Sequence, residues 1–216
     1  MLSNRIKSLP ASATLAMAAK ARELKNKGID IIGLSLGEPD FKTPEFIKEA
    51  AIKAVKENYN SYSPVDGYAD LKVAICEKFK RDNGLEYQAS QIVVSTGAKQ
   101  SIANVCMVLL DPGDEVLLPA PYWVSYSAIA TLAEAKSIII PSSIETDFKI
   151  TPQQLESAIT PKTKLVMFNS PNNPSGSVYT EEEYRALGAV LKKYPDIYIL
   201  SDEIYEHINY GIPHFS

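Results

Sequence analysis

The sequence predicts an α/β fold built on a doubly wound, mostly parallel sheet. Short apolar runs recur through the second half of the 216 residues, and segments with helical periodicity separate them. Parallel strands need long crossover connections, so helices between strands favour a parallel sheet over hairpins. A hydrophobic fraction of 45% and a charged fraction of 22% are typical of a globular chain, and the length allows a sizeable core.

The first third of the chain is predicted to be mainly helical. The expected elements are a helix over 12–27, a strand over 31–36, a helix that begins after residue 43, and a helix over 69–82. Gly28 and Gly84 are expected to close the first and last of these helices, because glycine tolerates the left-handed conformation at a helix end. Thr43 is the expected N-cap of the middle helix, with Pro44 at its first helical position.

The rest of the chain alternates between strands and helices. The predicted strands are 92–94, 116–118, 137–140, 165–168 and 197–200. The predicted helices between them are 98–110, 125–133, 152–159 and 181–194, and Asp111-Pro112-Gly113-Asp114 is typical of a turn. Residues 1–216 contain no internal repeat or low-complexity tract.

Composition excludes several classes of function. A net charge of −4 argues against nucleic acid as a partner, since phosphate binding needs a basic excess. Cys76 and Cys106 are far apart and the two histidines are isolated from them, so neither a metal site nor a disulfide scaffold is expected. No apolar run has the ~20 residues of a membrane helix. We expect a cytoplasmic protein with no membrane partner.

Polar and aromatic segments follow four of the five predicted strands. These segments are 95–100, 119–123, 169–176 and 201–205. Ligands of open α/β sheets bind beyond the carboxyl ends of the strands, so we expect a binding site where these segments meet.

Each candidate residue also has a purely structural interpretation. The segment 95–100 suits a phosphate at a helix N-terminus, with Lys99 as an added cation, but it is equally typical of an ordinary helix start capped by Ser95 or Thr96. Trp123 could stack on a planar heterocycle or pack in the core. Asp202 follows an apolar strand, where it could face a cationic partner or cap the next turn.

The segment Asn172-Asn173-Pro174-Ser175-Gly176 has the composition of a turn, although Asn173 could also present its amide to a ligand hydroxyl. His207 and His214 lack a serine elbow or a cysteine partner, so a hydrolase triad has little support.

Six motifs occur together in the chain. In order they are Ser-Leu-Gly-Glu-Pro-Asp-Phe at 35–41, Tyr-Ser-Pro-Val-Asp-Gly at 62–67, Ser-Thr-Gly-Ala-Lys-Gln at 95–100, Pro-Tyr-Trp-Val-Ser-Tyr at 121–126, Asn-Ser-Pro-Asn-Asn-Pro-Ser-Gly at 169–176 and Ser-Asp-Glu-Ile-Tyr at 201–205. As a set they resemble the class I pyridoxal-phosphate aminotransferases, closest to the prokaryotic aspartate aminotransferase subgroup. The resemblance implies the large-domain fold of fold type I transferases, incomplete at the C-terminus. It divides the chain into an arm with part of a small domain, 1–43, and a partial cofactor-binding domain, 44–216.

The resemblance also implies roles for single residues around pyridoxal 5′-phosphate. Gly97, Ala98 and Lys99 match the phosphate cradle, Trp123 the residue stacked on the pyridine ring, and Asp202 the partner of the ring nitrogen; Asn173 and Tyr205 match the pair that bonds the phenolic oxygen. Gly37, with Trp123 and Asn173, matches the substrate contacts. Tyr62 matches a tyrosine that reaches the phosphate of a neighbouring subunit, which implies a homodimer with shared sites.

The implied reaction moves an amino group from an L-amino acid, expected to be aspartate, to a 2-oxo acid, expected to be 2-oxoglutarate; aromatic amino acids or prephenate remain open. The family's Schiff-base lysine lies in a Ser-Lys motif beyond the tyrosine matched by Tyr205, whereas the last lysine here is Lys193. We therefore expect a truncated form of an aminotransferase. The alternative is a catalytically inactive module that binds the cofactor or another protein.

Overall fold

A computed structural model of the chain describes residues 1–9, 13–33, 37, 39–208 and 210–216, with the backbone alone for 13–15. By their contacts the residues form two compact units, one of Met1–Leu9 with Val65–Ser216 and the other of Pro10–Pro64. The domain division at residue 43 that the sequence suggested remains a prediction.

The unit Pro10–Pro64 contains the helices α2, Ala13–Asn26, and α3, Glu45–Lys56. Gly28 follows α2 with a φ of 77°, as predicted. The predicted cap of α3 was wrong by one residue: Pro44 is the N-cap, because its ψ of 145° is extended and helical geometry starts only at Glu45. Of the predicted strand over 31–36, residues 31–33 are irregular and 34–36 lie outside the described residues.

The other unit begins with a short helix, α1, Asn4–Lys7, and resumes with α4, Ala69–Lys78. One wider turn of π-helix, Phe79–Asn83, extends α4, and Gly84 ends it with a φ of 66°. The predicted helix over 69–82 is therefore confirmed in extent, with a change of helix type in its last turn.

Four parallel strands form the sheet. They are β1, Glu115–Pro119; β2, Lys136–Ile140; β3, Thr163–Asn169; and β4, Tyr198–Asp202. Their order across the sheet is β2-β1-β3-β4, and every neighbouring pair is parallel. The predicted doubly wound parallel sheet is confirmed. Consecutive strands β1 and β2 are neighbours, while β3 lies on the other side of β1, so the direction of winding reverses beside β1.

The predicted strand over 92–94 was wrong. A strand needs a hydrogen-bonded neighbour, and this segment forms no ladder with any strand of the described residues. Instead the Val94 amide donates to the carbonyl of Asp66 at 3.0 Å, and the Val93 side chain is exposed. The apolar run is extended backbone without a sheet partner.

Helices cover both faces of the sheet. They are α5, Ala98–Leu109; α6, Ser125–Leu132; α7, Pro152–Ala158; and α8, Glu181–Leu191. The side chains of β1 show which helices cover each face, because successive side chains of a strand point to opposite faces of the sheet. Val116 and Leu118 pack with α5 and α6, whereas Leu117 packs with α7 and α8. The α8 helix ends at Leu191 rather than at the predicted Tyr194.

Local signals explain where these helices start. Thr180 precedes α8, and its hydroxyl accepts the amide of Glu183 at 3.2 Å while the Glu183 carboxylate accepts the amide of Thr180 at 2.7 Å. This reciprocal capping box satisfies two backbone donors that the helix itself cannot satisfy. In the described part of the chain, every helix is too short or too polar to cross a bilayer.

Candidate functional site

A cleft lies at the carboxyl ends of the strands, where the sequence predicted a site. Its volume is about 170 Å³, and it is lined by Ala98, Trp123, Tyr126, Asn169, Asn173, Asp202, Ile204 and Tyr205. These residues come from the first turn of α5, the start of α6 and the segments that follow β1, β3 and β4. Parallel strands end at one edge, which is why residues distant in sequence meet here.

Asp202 ends β4 and places a carboxylate in the cleft with only 9% of the residue exposed. The Tyr126 hydroxyl donates to its Oδ2 at 2.7 Å, and the Ile204 amide donates to its Oδ1 at 3.2 Å. The second contact means that Asp202 caps the following turn, and its position in the cleft leaves it available to a ligand as well. Among the described residues, no lysine, arginine or histidine forms an ion pair with it.

Trp123 provides an aromatic wall of the cleft. It is partly buried against the core, and its ring meets that of Tyr126 edge to face, with centroids 5.5 Å apart and planes at 89°. The Lys99 Nζ lies 4.9 Å from the centroid of the indole ring, a cation–π distance. Trp123 therefore packs on the core, as one of the two sequence interpretations held, and also lines the cleft; its stacking on a heterocycle remains a prediction.

Gly97 is the N-cap of α5 and has a φ of 86° and a ψ of 159°. Nothing lies within 4 Å of the place where a Cβ would stand, so it is this backbone conformation, rather than space, that calls for glycine. The N-cap position belongs to Gly97 and no side chain makes a capping hydrogen bond there, so the alternative in which Ser95 or Thr96 caps α5 is not what the structure has. The amides of Ala98 and Lys99 belong to the first turn, whose donors have no acceptor within the helix.

Asn173 and Tyr205 form a pair on the rim of the cleft, with the Asn173 Nδ2 donating to the Tyr205 hydroxyl oxygen at 3.3 Å. The expected turn is also present, since the Gly176 amide donates to the carbonyl of Asn172 at 2.8 Å. Among the described residues, the side-chain amide of Asn173 has one N–H without an acceptor and the Tyr205 hydroxyl donates to no residue, so each has a hydrogen to offer a ligand oxygen.

Asn169 is a residue of the cleft to which the sequence analysis gave no role. It ends β3 and is 5% exposed. Its Oδ1 accepts the amide of Asn173 at 2.7 Å, and its Nδ2 donates to the carbonyl of Asp202 at 2.9 Å. One side chain thus ties together the two segments that carry Asn173 and Asp202. Its place directly after a buried strand was the available signal.

Four predicted site residues are absent from the lining of this cleft: Gly97 and Lys99, which flank the lining residue Ala98, and also Gly37 and Tyr62. Gly37 and Tyr62 belong to the compact unit Pro10–Pro64, and both are exposed. Their roles in substrate binding and in a shared dimer site remain predictions. Within the motif at 35–41, residues 35, 36 and 38 lie outside the described residues.

Sequence comparison identifies relatives over nearly the whole chain. The model of the family "Aminotransferase class I and II" matches residues 29–216. The chain is 56% identical over 207 residues to an aspartate/prephenate aminotransferase of Nitrosomonas europaea, covering 96% of this chain and 52% of that protein. It is 51% identical over 210 residues to an aspartate aminotransferase of Bacillus subtilis, covering 97% and 53%. The chain spans about half the length of the curated relatives it matches.

Comparison with solved structures finds the same kind of protein. The aspartate aminotransferase of Rhizobium meliloti superposes with a TM-score of 0.97 at 45% identity, covering all of this chain and 54% of that one. The enzyme of Thermus thermophilus with maleate gives 0.96 at 43% identity, covering all of this chain and 56% of that one. The predicted fold type I architecture is confirmed. By its matched motifs, its sequence relatives and its fold, the chain belongs to the family of class I and II aminotransferases.

Proposed function

We propose that the chain is the cofactor-binding part of a pyridoxal-phosphate-dependent aminotransferase. The observation that carries this proposal is Asp202, a buried carboxylate that lines the cleft without a cationic partner among the described residues. A buried charge is costly unless it is paired. A protonated pyridine nitrogen in the cleft would provide the missing positive partner.

The residues around Asp202 fit the rest of this cofactor. Trp123 offers an aromatic surface for the ring, and Asn173 with Tyr205 offers donors for its phenolic oxygen. The first turn of α5 offers backbone amides for a phosphate, supported by the positive end of the helix dipole and by the Lys99 ammonium. Ring nitrogen, phenolic oxygen and phosphate thus each have a counterpart of suitable chemistry.

When bound, pyridoxal phosphate supplies a conjugated ring that accepts the electron pair released at the substrate Cα. In this assignment Asp202 would hold the proton on the ring nitrogen, Asn173 and Tyr205 would stabilise the phenolic oxygen, and Trp123 would support the ring. The rigidity of these groups matters because preorganised charges stabilise developing charge without reorganisation.

Proton transfer at the substrate Cα also needs a lysine amine, which holds the cofactor and carries the proton. None of the described residues that line the cleft is a lysine, and the Lys99 Nζ lies over the Trp123 ring beside the phosphate end of the site. We assign the amine to a lysine outside these 216 residues, as the family resemblance implies. DNA sequence past codon 216 tests this assignment: an in-frame Ser-Lys pair supports it, and an immediate stop codon contradicts it.

Aspartate and 2-oxoglutarate are the proposed substrates, with prephenate as the alternative acceptor. The names of the relatives support aspartate and prephenate, since they are aspartate or aspartate/prephenate aminotransferases, whereas 2-oxoglutarate is proposed on the family resemblance alone. A homodimer is proposed on the same family resemblance, with the wholly exposed Tyr62 as the residue offered to the partner's phosphate. Sedimentation of wild type and Tyr62→Ala, with and without cofactor, tests the dimer.

Cofactor binding is tested with pyridoxamine 5′-phosphate, which needs no lysine to bind. Trp123 is the only tryptophan of the chain, so quenching of its fluorescence reports occupancy of the cleft. We expect the probe to quench the Trp123 fluorescence of wild type saturably. Asp202→Asn should bind the probe about tenfold or more weakly, because removing one partner of a buried charge pair costs binding free energy. Glu182→Gln is the matched control, because it removes one exposed carboxylate outside the cleft. Absence of binding to wild type, or equal binding by Asp202→Asn, would refute the proposal.

A second experiment addresses the missing amine. Wild type mixed with pyridoxal phosphate and aspartate is expected to give no pyridoxamine phosphate, and borohydride is expected to trap no adduct at one specific lysine. Formation of pyridoxamine phosphate together with a trapped adduct on one lysine would show that this chain contains the catalytic lysine. That result would overturn the assignment of the lysine outside these residues.

A further inference from the structure

Tyr126 stands out as a buried polar side chain to which the proposed function gives no role. It lies in the first turn of α6, its residue exposure is 1%, and it is among the largest fully buried side chains. Its hydroxyl donates to the Asp202 Oδ2 at 2.7 Å, although the two residues are 76 positions apart in the sequence. This short hydrogen bond joins a buried phenol to the buried carboxylate of the cleft, so we asked what the phenol does for the carboxylate.

We propose that Tyr126 is a positioning residue that fixes the Asp202 carboxylate against the ring nitrogen of the cofactor. The inference rests on the proposed function, because it concerns how the carboxylate assigned there is held. Tyr126 itself makes no bond to the reacting atoms; it acts through Asp202.

The hydrogen bonds of the carboxylate determine its orientation. Tyr126 donates to Oδ2 from α6, and the Ile204 amide donates to Oδ1 from the turn after β4. Two donors on different oxygens leave the carboxylate little freedom to rotate about its Cβ–Cγ bond, so its remaining lone pairs keep a constant direction. Without the phenol, the longer 3.2 Å contact with the amide of Ile204 would be the one hydrogen bond from the described residues left to orient it.

Tyr126 is suited to be a permanent donor. Burial, reinforced by the hydrogen bond to Asp202, raises the pKa of the Tyr126 hydroxyl far above that of a free tyrosine. The phenol therefore keeps its proton at any pH at which the protein works. Since a protonated phenol that faces a carboxylate can only donate to it, the hydrogen bond runs from Tyr126 to Asp202 whenever Asp202 is ionised.

The ring of Tyr126 is fixed as well. It packs edge to face on Trp123, with centroids 5.5 Å apart, and belongs to the core cluster that includes Val116 and Met167. One side chain thus touches both the aromatic wall of the cleft and its carboxylate. Tyr126 therefore ties the position of the Asp202 carboxylate to that of the Trp123 ring, the surface proposed to hold the cofactor ring.

The test separates this positioning role from a merely structural one. Tyr126→Phe keeps the ring packing and removes only the hydroxyl. Binding is measured by Trp123 quenching with two probes, pyridoxamine 5′-phosphate and its carbocyclic analogue, in which C–H replaces the ring nitrogen. We expect Tyr126→Phe to weaken binding of the first probe about tenfold and to leave binding of the analogue within about twofold of wild type. Equal weakening for both probes would show a structural role and overturn the proposal.

A double-mutant cycle with Asp202→Asn checks the route of the effect. If Tyr126 acts through Asp202, its hydroxyl contributes nothing to binding once the carboxylate is an amide, so the double variant binds like Asp202→Asn. Additive losses would contradict the proposal. If wild type binds neither probe, the proposed function fails; if wild type binds pyridoxamine phosphate and Tyr126→Phe binds it equally well, only the positioning role fails.

A measurement on wild type keeps the proposal falsifiable if Tyr126→Phe does not fold. The hydroxyl proton of Tyr126 is buried and donated, so it is expected to exchange slowly and to be visible by NMR. Adding pyridoxamine phosphate is expected to shift this signal, because the shared carboxylate then bonds a ring N–H, whereas the carbocyclic analogue is expected to leave it unchanged. The same response to both probes would overturn the proposal.

Discussion

Asn169→Ala is the substitution that most directly tests how the cleft is held together. The change removes two short hydrogen bonds, one from the amide of Asn173 at 2.7 Å and one to the carbonyl of Asp202 at 2.9 Å. Each bond contributes about 1 kcal/mol, and leaving the partly buried Asn173 amide without an acceptor adds to the loss. The Asp202 carbonyl keeps one partner, the Ser170 amide at 3.2 Å. We expect the free energy of unfolding to fall by about 2–3 kcal/mol.

Urea unfolding followed by circular dichroism measures this loss, and a decrease in Tm of roughly 4–12 °C should accompany it. Asn173→Ala is the matched control. It removes only the longer 3.3 Å contact with Tyr205 on the rim, so its effect on stability should stay within about 0.5 kcal/mol. Asn169→Asp keeps the acceptor but places a carboxylate against the Asp202 carbonyl. It should lower the free energy of unfolding by at least as much as Asn169→Ala does. An Asn169→Ala protein as stable as wild type, or an equally large loss in Asn173→Ala, would refute the reasoning.

Three further predictions concern the helix start, acid stability and the phosphate end of the cleft. Thr180→Ala should lower the free energy of unfolding by about 1 kcal/mol in urea titrations, because it removes the cap of α8, while the exposed Glu182→Gln should not change it. Burial opposes ionisation of Glu206, yet hydrogen bonds from Lys78 and Asn83 outweigh it and hold the pKa of Glu206 below 4.5. Because the folded pKa is the lower one, this stabilisation is present above the unfolded pKa and is lost as pH falls through the folded value. Urea midpoints should therefore drop as the pH falls below about 5, and Lys78→Met should flatten that part of the profile; an unchanged slope would contradict the assignment. Lys99→Gln should weaken binding of pyridoxamine 5′-phosphate about tenfold but leave binding of unphosphorylated pyridoxamine unchanged, as judged by Trp123 quenching; equal losses would place Lys99 away from the phosphate.

The parts of the fold that the sequence predicts well are those set by local patterns. The four strands of the sheet and the helices between them follow from apolar runs and helical periodicity, and the capping box at Thr180 is visible in the residues themselves. The segment 92–94 failed because an apolar run becomes a strand only if a neighbour pairs with it. That condition depends on tertiary structure rather than on the run.

The residues of the candidate site likewise fall into those that local sequence predicts and those that only the tertiary structure reveals. Trp123, Asn173 and Asp202 were identified because each follows a predicted strand within a recognisable motif. Asn169 and Tyr126 were given no role, since their importance lies in hydrogen bonds to Asp202, 33 and 76 positions away. No local pattern shows which distant residue a side chain will meet. Predicting such second partners requires the packing of β3, β4 and α6.

The strand that carries Asp202 lies at the edge of the sheet. Within the described residues β4 pairs only with β3, and its first residues, Tyr198 and Ile199, are half exposed. Its last residue is fixed by the bonds from Asn169 and Ser170 to its carbonyl. Amide hydrogens should therefore exchange with solvent at different rates along one short strand, quickly at Tyr198 and Ile199 and slowly near Asp202. Local opening would thus begin at the far end of β4, and the carboxylate would be the last part of the strand to move.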